Sequence, residues 1–236
     1  MIFSFNDSKS RVIWDGFTLD WYVELFHDPQ ILGSLKITLI VAVASAILST
    51  VIGTVAAMGI HRMGRRSKNI YLTLNNIPMS TSDTIMGVTF MLLFAALSME
   101  KGYLTLILAH TTFCIPYVVL SVMPKLRQLD KNTYEAALDL GATPRQALRQ
   151  VILPEIMPGI ITGAIMAFTI SIDDFVVSYF TAGSDTQPLS VVIYSMTRRR
   201  ISPEINAVST IMFAVILVLL IVINIRSTRD SKKKKS

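Results

Sequence analysis

Three carboxylates, Asp83, Asp173 and Asp174, stand inside otherwise apolar stretches of this 236-residue chain. A charge at the centre of a bilayer costs at least about 2.5–3.5 kcal/mol, so such groups usually face a cavity or a partner. Facing a path, they would form a weakly acidic lining, attractive enough to admit a cation and weak enough to release it. The competing assignment pairs them with Lys or Arg of a neighbouring subunit, and for Asp173 the two stand level. Asp173 and Asp174 are adjacent, so on a helix they point to different faces and cannot share one proton as an aspartyl-enzyme dyad must. Asp83 would have to supply the second carboxylate. His27, His61 and His110 lack metal-ligand spacing, and the sequence holds no H-E-x-x-H motif, no cysteine pair and no G-x-x-x-x-G-K-[ST] loop. Any nucleotide hydrolysis therefore belongs to another chain. Cys114, alone in an apolar run, reads as a buried thiol.

The elements that must position these groups are membrane spans. The chain is 52% hydrophobic and 16% charged, with a mean hydropathy of +0.54. A soluble domain carries about 25% charged residues. Five apolar blocks, 33–60, 70–98, 103–123, 156–182 and 206–225, each reach the roughly 20 residues that cross a bilayer. The second is interrupted by Asn75-Asn-Ile-Pro78 and Ser80-Thr-Ser-Asp83 and is taken as one broken span. The expected fold is an all-α polytopic bundle. Small residues at four-residue spacing, Ser45, Ser49, Gly53 and Ala57 in the first block and Gly159, Gly163, Ala167 and Ser171 in the fourth, mark close packing faces. At 100° per residue, Asp174 falls in the middle of the second of these faces and is expected to face the bundle interior, while Asp173 points about 100° away.

Lys and Arg set the orientation. With the C-terminus inside, the stretches 61–69, 124–155 and 226–236 hold 15 of the 22 basic residues. The outer side holds Lys9, Arg11, Lys36, Lys101 and Arg198–Arg200. This division gives an outer segment 1–32, a membrane domain 33–225 and a basic cytoplasmic tail 226–236. Arg198–Arg200 and Glu204 then lie in an outer loop, 183–205, open to a partner or to solvent.

The inner stretch 124–155 reads as two short helices. The first covers 131–140, with Asp130 as N-cap and Gly141 as its stop. The second opens with Thr143 as N-cap and Pro144 at the first helical position, and ends before Pro154. Within it run Glu135-Ala-Ala137, three residues, Gly141, nine residues, and Val151-Ile-Leu-Pro154. This run resembles the E-A-A-x3-G-x9-I-x-L-P signature of the permease subunits of binding-protein-dependent ABC importers, with Val151 in place of isoleucine. The resemblance extends over about residues 3–225. Phe17-Thr-Leu-Asp-Trp-Tyr22, Ser171-Ile-Asp-Asp174, Ile193-Tyr-Ser-Met196 and Ser202-Pro-Glu-Ile-Asn-Ala207 are similar to the PotC-like spermidine/putrescine permeases.

The resemblance implies a type I ABC importer fold whose loop, through Glu135, Ala136, Ala137, Gly141, Val151, Leu153 and Pro154, sits in a groove of an ATP-binding subunit. It also implies two such subunits holding ATP and Mg, a second related permease, and an extracytoplasmic polyamine-binding protein. This chain would carry no cofactor and sit in a bacterial inner membrane. Trp21 and Ser171 join the candidates for the substrate path. The family has six spans, so a segment preceding Met1 is expected. Another small cation or a metal complex is an alternative cargo. An intramembrane aspartyl enzyme and a solo carrier are the other classes, but neither explains the Glu135–Pro154 run.

Overall fold

Small residues face inward and large apolar ones face outward, the reverse of a soluble helix. In the long second helix Ser45, Ser49, Gly53 and Ala57 are buried, while Ile47, Val51 and Val55 on the other face are exposed. This pattern suits a helix surrounded by hydrocarbon. Lipid tails are as apolar as leucine, so close packing and hydrogen bonding, not apolar burial, hold such helices together.

The computed structural model describes Asn6, residues 16–130 and 132–199, and isolated positions between Thr210 and Ile221. Among them the elements are α1 (Asp20–His27), α2 (Pro29–Arg62), α3 (Arg65–Ser80), α4 (Asp83–Ala96) and α5 (Tyr103–Gln128). There follow α6 (Thr133–Asp139), α7 (Pro144–Ala147), a π-helical turn (Leu148–Ile152), α8 (Leu153–Asp173), α9 (Val176–Thr181) and α10 (Leu189–Arg199). Pro29–Arg62, Tyr103–Gln128 and the continuous run Pro144–Asp173 are each long and apolar enough to cross a membrane. The pair α3 and α4 passes the same test only jointly. Most of the expected span 206–225, the string 202–207, Arg200 and the tail 226–236 lie outside the described residues.

Several expected boundaries move. The interruption in the second block falls at Thr81, whose extended backbone (φ −89°, ψ 142°) ends α3. The fourth block is not one helix: α8 stops at Asp173, and α9 begins afresh at Val176. Asp174 therefore sits in the break, so the projection that put it on the glycine face does not apply. The stretch 183–205 is not all loop, since Leu189–Arg199 forms α10 behind Pro188.

The described residues group into two units. One comprises 43–82 and 110–171. Its core is α5, through Val118, Val122 and Leu126, packed with Ala57 and Ile60 of α2 and with Ile156 and Ala167 of α8. Both small-residue ladders serve this one helix. A Cβ at Gly53 would lie 2.8 Å from Val118 Cβ, one at Gly163 would lie 3.1 Å from Val118 Cα, and one at Gly159 would lie 2.9 Å from the Ser121 carbonyl. The other unit takes in 1–42, 83–109 and 172–225. In it α4 packs on α9, with Gly87 against Val176 and Phe180. Thr38 Oγ1 accepts the Leu189 N–H at 2.8 Å, and Thr105 Oγ1 donates to the Thr181 carbonyl at 3.0 Å.

Candidate functional site

Local turn chemistry builds the segment between α5 and α8. Asp130 does not cap α6; its carboxylate accepts the Asn132 N–H at 3.0 Å, and Asn132 takes the N-cap position. At the far end Gly141 adopts φ 86°, its N–H reaching the Leu138 carbonyl at 2.9 Å while Ala142 N–H reaches Ala137 at 3.1 Å. That pair is a Schellman closure, and the left-handed backbone in it costs an L-residue about 1–2 kcal/mol. Thr143 then caps α7 as expected. Its Oγ1 accepts the Gln146 N–H at 3.4 Å while Gln146 Oε1 accepts the Thr143 N–H at 2.8 Å.

Pro154 does not end this helix. The chain continues from α7 through the π turn into α8. Proline has no N–H, and its ring crowds the carbonyl one turn back; a wider i→i+5 turn just before it relieves that crowding. Val151 of the signature lies in the π turn, Leu153 and Pro154 in the first turn of α8.

α6 buries Ala137 and exposes Glu135, Ala136 and Asp139. Leu140, just before the glycine, is 90% exposed. Ala136 and Leu140 are four residues apart, so they form one outward face with an acidic border. Leu140 was absent from the sequence candidates. Its signal was a large apolar side chain placed directly before the turn of a polar loop. On its inner side α6 is tethered: the Arg62 guanidinium lies over the Tyr134 ring, 4.9 Å from its centroid, a contact worth about 0.5–2 kcal/mol.

The other sequence candidates separate. Trp21 is buried with Ile31 and Leu189, its indole N–H donating to the Asn6 carbonyl at 2.8 Å. Ser171 is buried too, its hydroxyl 2.7 Å from His110 Nδ1 across α5 and α8. Each of these two side chains is thus buried and engaged in a hydrogen bond. Ser171→Ala removes that buried hydrogen bond, a loss of about 0.5–1.5 kcal/mol. A lower thermal unfolding midpoint in detergent, with Ser171→Thr less affected, is the expected readout. Asp173 is exposed at the end of α8.

Asp174 has a defined local role. Its carboxylate accepts the N–H groups of Ser178 at 2.7 Å and Val177 at 3.3 Å, and its own carbonyl accepts from Ser190 Oγ at 2.8 Å. Asp83, exposed in the first turn of α4, lies within electrostatic range of it. Next in sequence to Asp174, Phe175 packs on Tyr194 with ring centroids 4.6 Å apart, and Tyr179 edges onto Tyr194 at 6.2 Å. Two of the family-like strings, 171–174 and 193–196, thus meet through neighbouring residues. The sequence did not mark Phe175 or Tyr179, because nothing local distinguishes them from lipid-facing aromatics.

The chain is similar to the putrescine transport system permease protein PotI of Escherichia coli K12, 38% identical over 223 residues, covering 92% of this chain and 79% of the relative. It is also 38% identical over 218 residues to the spermidine/putrescine transport system permease protein PotC of the same strain, covering 92% and 83%. Among solved structures, a bacterial ABC transporter involved in import of the acidic polysaccharide alginate superposes with a TM-score of 0.71 at 17% identity, covering 93% of this chain and 85% of that one. That likeness establishes the type I importer permease fold. ATP hydrolysis in such systems resides in separate subunits, so this chain is not itself an enzyme. Residues 30–229 match the model for the inner membrane component of binding-protein-dependent transport systems, and the chain belongs to that family.

Proposed function

We propose that this chain forms one half of the membrane path of a polyamine importer and transmits force from a cytoplasmic ATPase through α6, α7 and the π turn. The observation that carries the coupling half is the outward face of Ala136 and Leu140, held by the Gly141 closure in the middle of the Glu135–Pro154 signature. An apolar side chain left 90% exposed at a helix end is explained by a partner that covers it. ATP-driven closure of that partner pushes on α6. The π turn and α8 carry the displacement onward without a break in the helix. Glu135 and Asp139 supply the charge for a basic rim on the partner.

This reading includes a bacterial inner membrane, with 61–69, 124–155 and the C-terminus on the cytoplasmic side. It includes two ATP-binding subunits holding ATP and Mg, a second related permease and an extracytoplasmic binding protein. The cargo rests on the relatives, which carry putrescine or spermidine by name. It is supported by the chemistry of Asp83 and Asp174, two carboxylates within electrostatic range of each other, with Phe175 following Asp174; carboxylates and aromatic faces both attract ammonium ions. Asp173, Ser171 and Trp21 are less well placed for contact with a cation than this pair. A different small cation would use the same carboxylates, and competition by unlabelled putrescine, spermidine and metal ions separates the cargoes.

Asp83→Asn is the cleaner test of the path, because Asp83 is exposed and caps nothing that the break depends on. Uptake of radiolabelled spermidine in cells lacking other polyamine importers is expected to fall severalfold at unchanged membrane abundance. Asp174→Asn keeps one acceptor oxygen for Ser178 and is expected to lower uptake further. Normal uptake by both variants would remove the acidic path and leave Asp174 a helix-capping residue only.

A further inference from the structure

Where α2 and α5 end against α6 and α7, the structure holds a cavity of about 760 Å³. That volume lies within the usual range for a small-molecule site, roughly 300–1,000 Å³. Its walls divide by chemistry. Met58, Leu126, Leu129 and Ile152 are among the apolar lining, while His61, Arg62 and Arg145 bring basic groups against one carboxylate, Asp130. Lys68 and Arg127 lie within electrostatic range of His61 and add to the positive field. His61 Nδ1 is buried with no hydrogen-bond partner among the described residues. A buried polar atom in that state costs about 1–3 kcal/mol unless something satisfies it. The Arg62 guanidinium, held over the Tyr134 ring, carries five N–H donors for an anion.

An apolar wall joined to a basic rim, at the point where two membrane-length helices end, matches one kind of occupant. We propose that this cavity binds an anionic phospholipid of the cytoplasmic leaflet, its phosphate between His61, Arg62 and Arg145 and its upper acyl chain against Met58 and Leu126. Basic pockets between helices at that level of a membrane take such headgroups. The lipid would touch Tyr134 of α6, Arg145 of α7 and Ile152 of the π turn, so it would set the position of the coupling segment. The proposal rests on the reading that this segment faces the cytoplasm and docks an ATPase.

The test uses the whole importer, purified with its ATPase subunits and reconstituted in nanodiscs of phosphatidylcholine with or without phosphatidylglycerol. Native mass spectrometry counts phosphatidylglycerol retained after detergent washing, and ATPase rates are measured in both lipid compositions. Gly59 lines the cavity, and a Cβ there meets nothing within 4 Å. Gly59→Leu therefore sets a branched side chain into the space beside Met58 without a clash at its Cβ, and keeps every charge. The expected result is loss of retained phosphatidylglycerol by about tenfold in both variants: Arg62→Gln/Arg145→Gln loses charge-assisted contacts to the phosphate, and Gly59→Leu, with its charges kept, loses room for the acyl chain. Their ATPase rates should stop responding to phosphatidylglycerol. Arg65→Gln/Arg66→Gln, exposed residues of the same basic stretch outside the cavity, should behave as wild type.

Equal retention by Gly59→Leu and wild type overturns the proposal. So does a cross-link from Gly59→Cys to the ATPase, which would give the cavity to a protein side chain, or full competition by soluble glycerol phosphate, which would give it to a free anion. Loss of the ATPase from the wild-type preparation would count against docking instead, and lipid retention would then be read on the permeases alone.

Discussion

Leu140→Asp is expected to uncouple the transporter without unfolding this chain. Leu140 is 90% exposed, so the substitution removes almost no internal contact. In the assembled importer the same side chain would be buried against the ATPase, and full burial of a leucine contributes about 1.5–3 kcal/mol. Losing that contribution, and placing a carboxylate beside Asp139, weakens assembly by roughly one to two orders of magnitude. Pull-down of ATPase subunits with the tagged permease should fall accordingly, and polyamine uptake with it, while membrane abundance stays at the wild-type level. Leu140→Met should retain most of both. If Leu140→Asp assembles normally, α6 is an ordinary solvated helix and its apolar tip has no partner.

Gly159→Leu is expected to do the opposite, destroying the bundle while leaving the docking face chemically intact. A Cβ at this position meets the Ser121 carbonyl and Lys125 Cγ, each at 2.9 Å, and Val122 Cα at 3.3 Å. The lysine stem moves aside cheaply, but the backbone does not. α8 must then retreat from α5. Gly163, one turn along, is carried with it from a position where an added Cβ would lie 3.1 Å from Val118 Cα. Overpacking of this kind costs about 1–3 kcal/mol, and the retreat also strains the 2.7 Å His110–Ser171 bond on the same seam. Membrane abundance and detergent melting should both drop, with Gly159→Ala intermediate. Gly33→Leu, whose added Cβ meets nothing within 4 Å, should be close to wild type. Equal stability of Gly159→Leu and Gly33→Leu would show that α5 and α8 do not pack as closely as described.

What the sequence revealed depended on the range of the interaction involved. Thr143, Pro144 and Gly141 each act within four residues, so their caps and turn could be read directly. The small-residue ladders were legible because helical spacing alone puts them on one face. That both ladders serve α5 was not legible, since nothing in either ladder names its partner. The break at Asp174 was hidden for a similar reason. No glycine or proline stands beside it, and only the N–H groups of Val177 and Ser178 and the hydroxyl of Ser190 show why the helix stops there. Pro154 misled in the other direction. Proline usually closes a helix, but the π turn before it absorbs the ring and lets the helix run on. The His110–Ser171 bond joins residues 61 positions apart, a distance at which local pattern carries no information.

In the proposed mechanism, coupling depends on contact between α6 and an ATPase. Cys114, the only cysteine of the chain, is buried, so a single cysteine placed at the exposed Ala136 becomes the accessible thiol. In membranes containing the whole importer, Ala136→Cys paired with a single cysteine introduced along the groove of the ATP-hydrolysing subunit should form one cross-linked product with it when treated with a short bifunctional thiol reagent. Its yield should change when ATP is added and hydrolysis is blocked. That product is the expected result. An Ala136→Cys permease that transports polyamine normally yet gives no product with any ATPase cysteine introduced along the groove would contradict docking through α6.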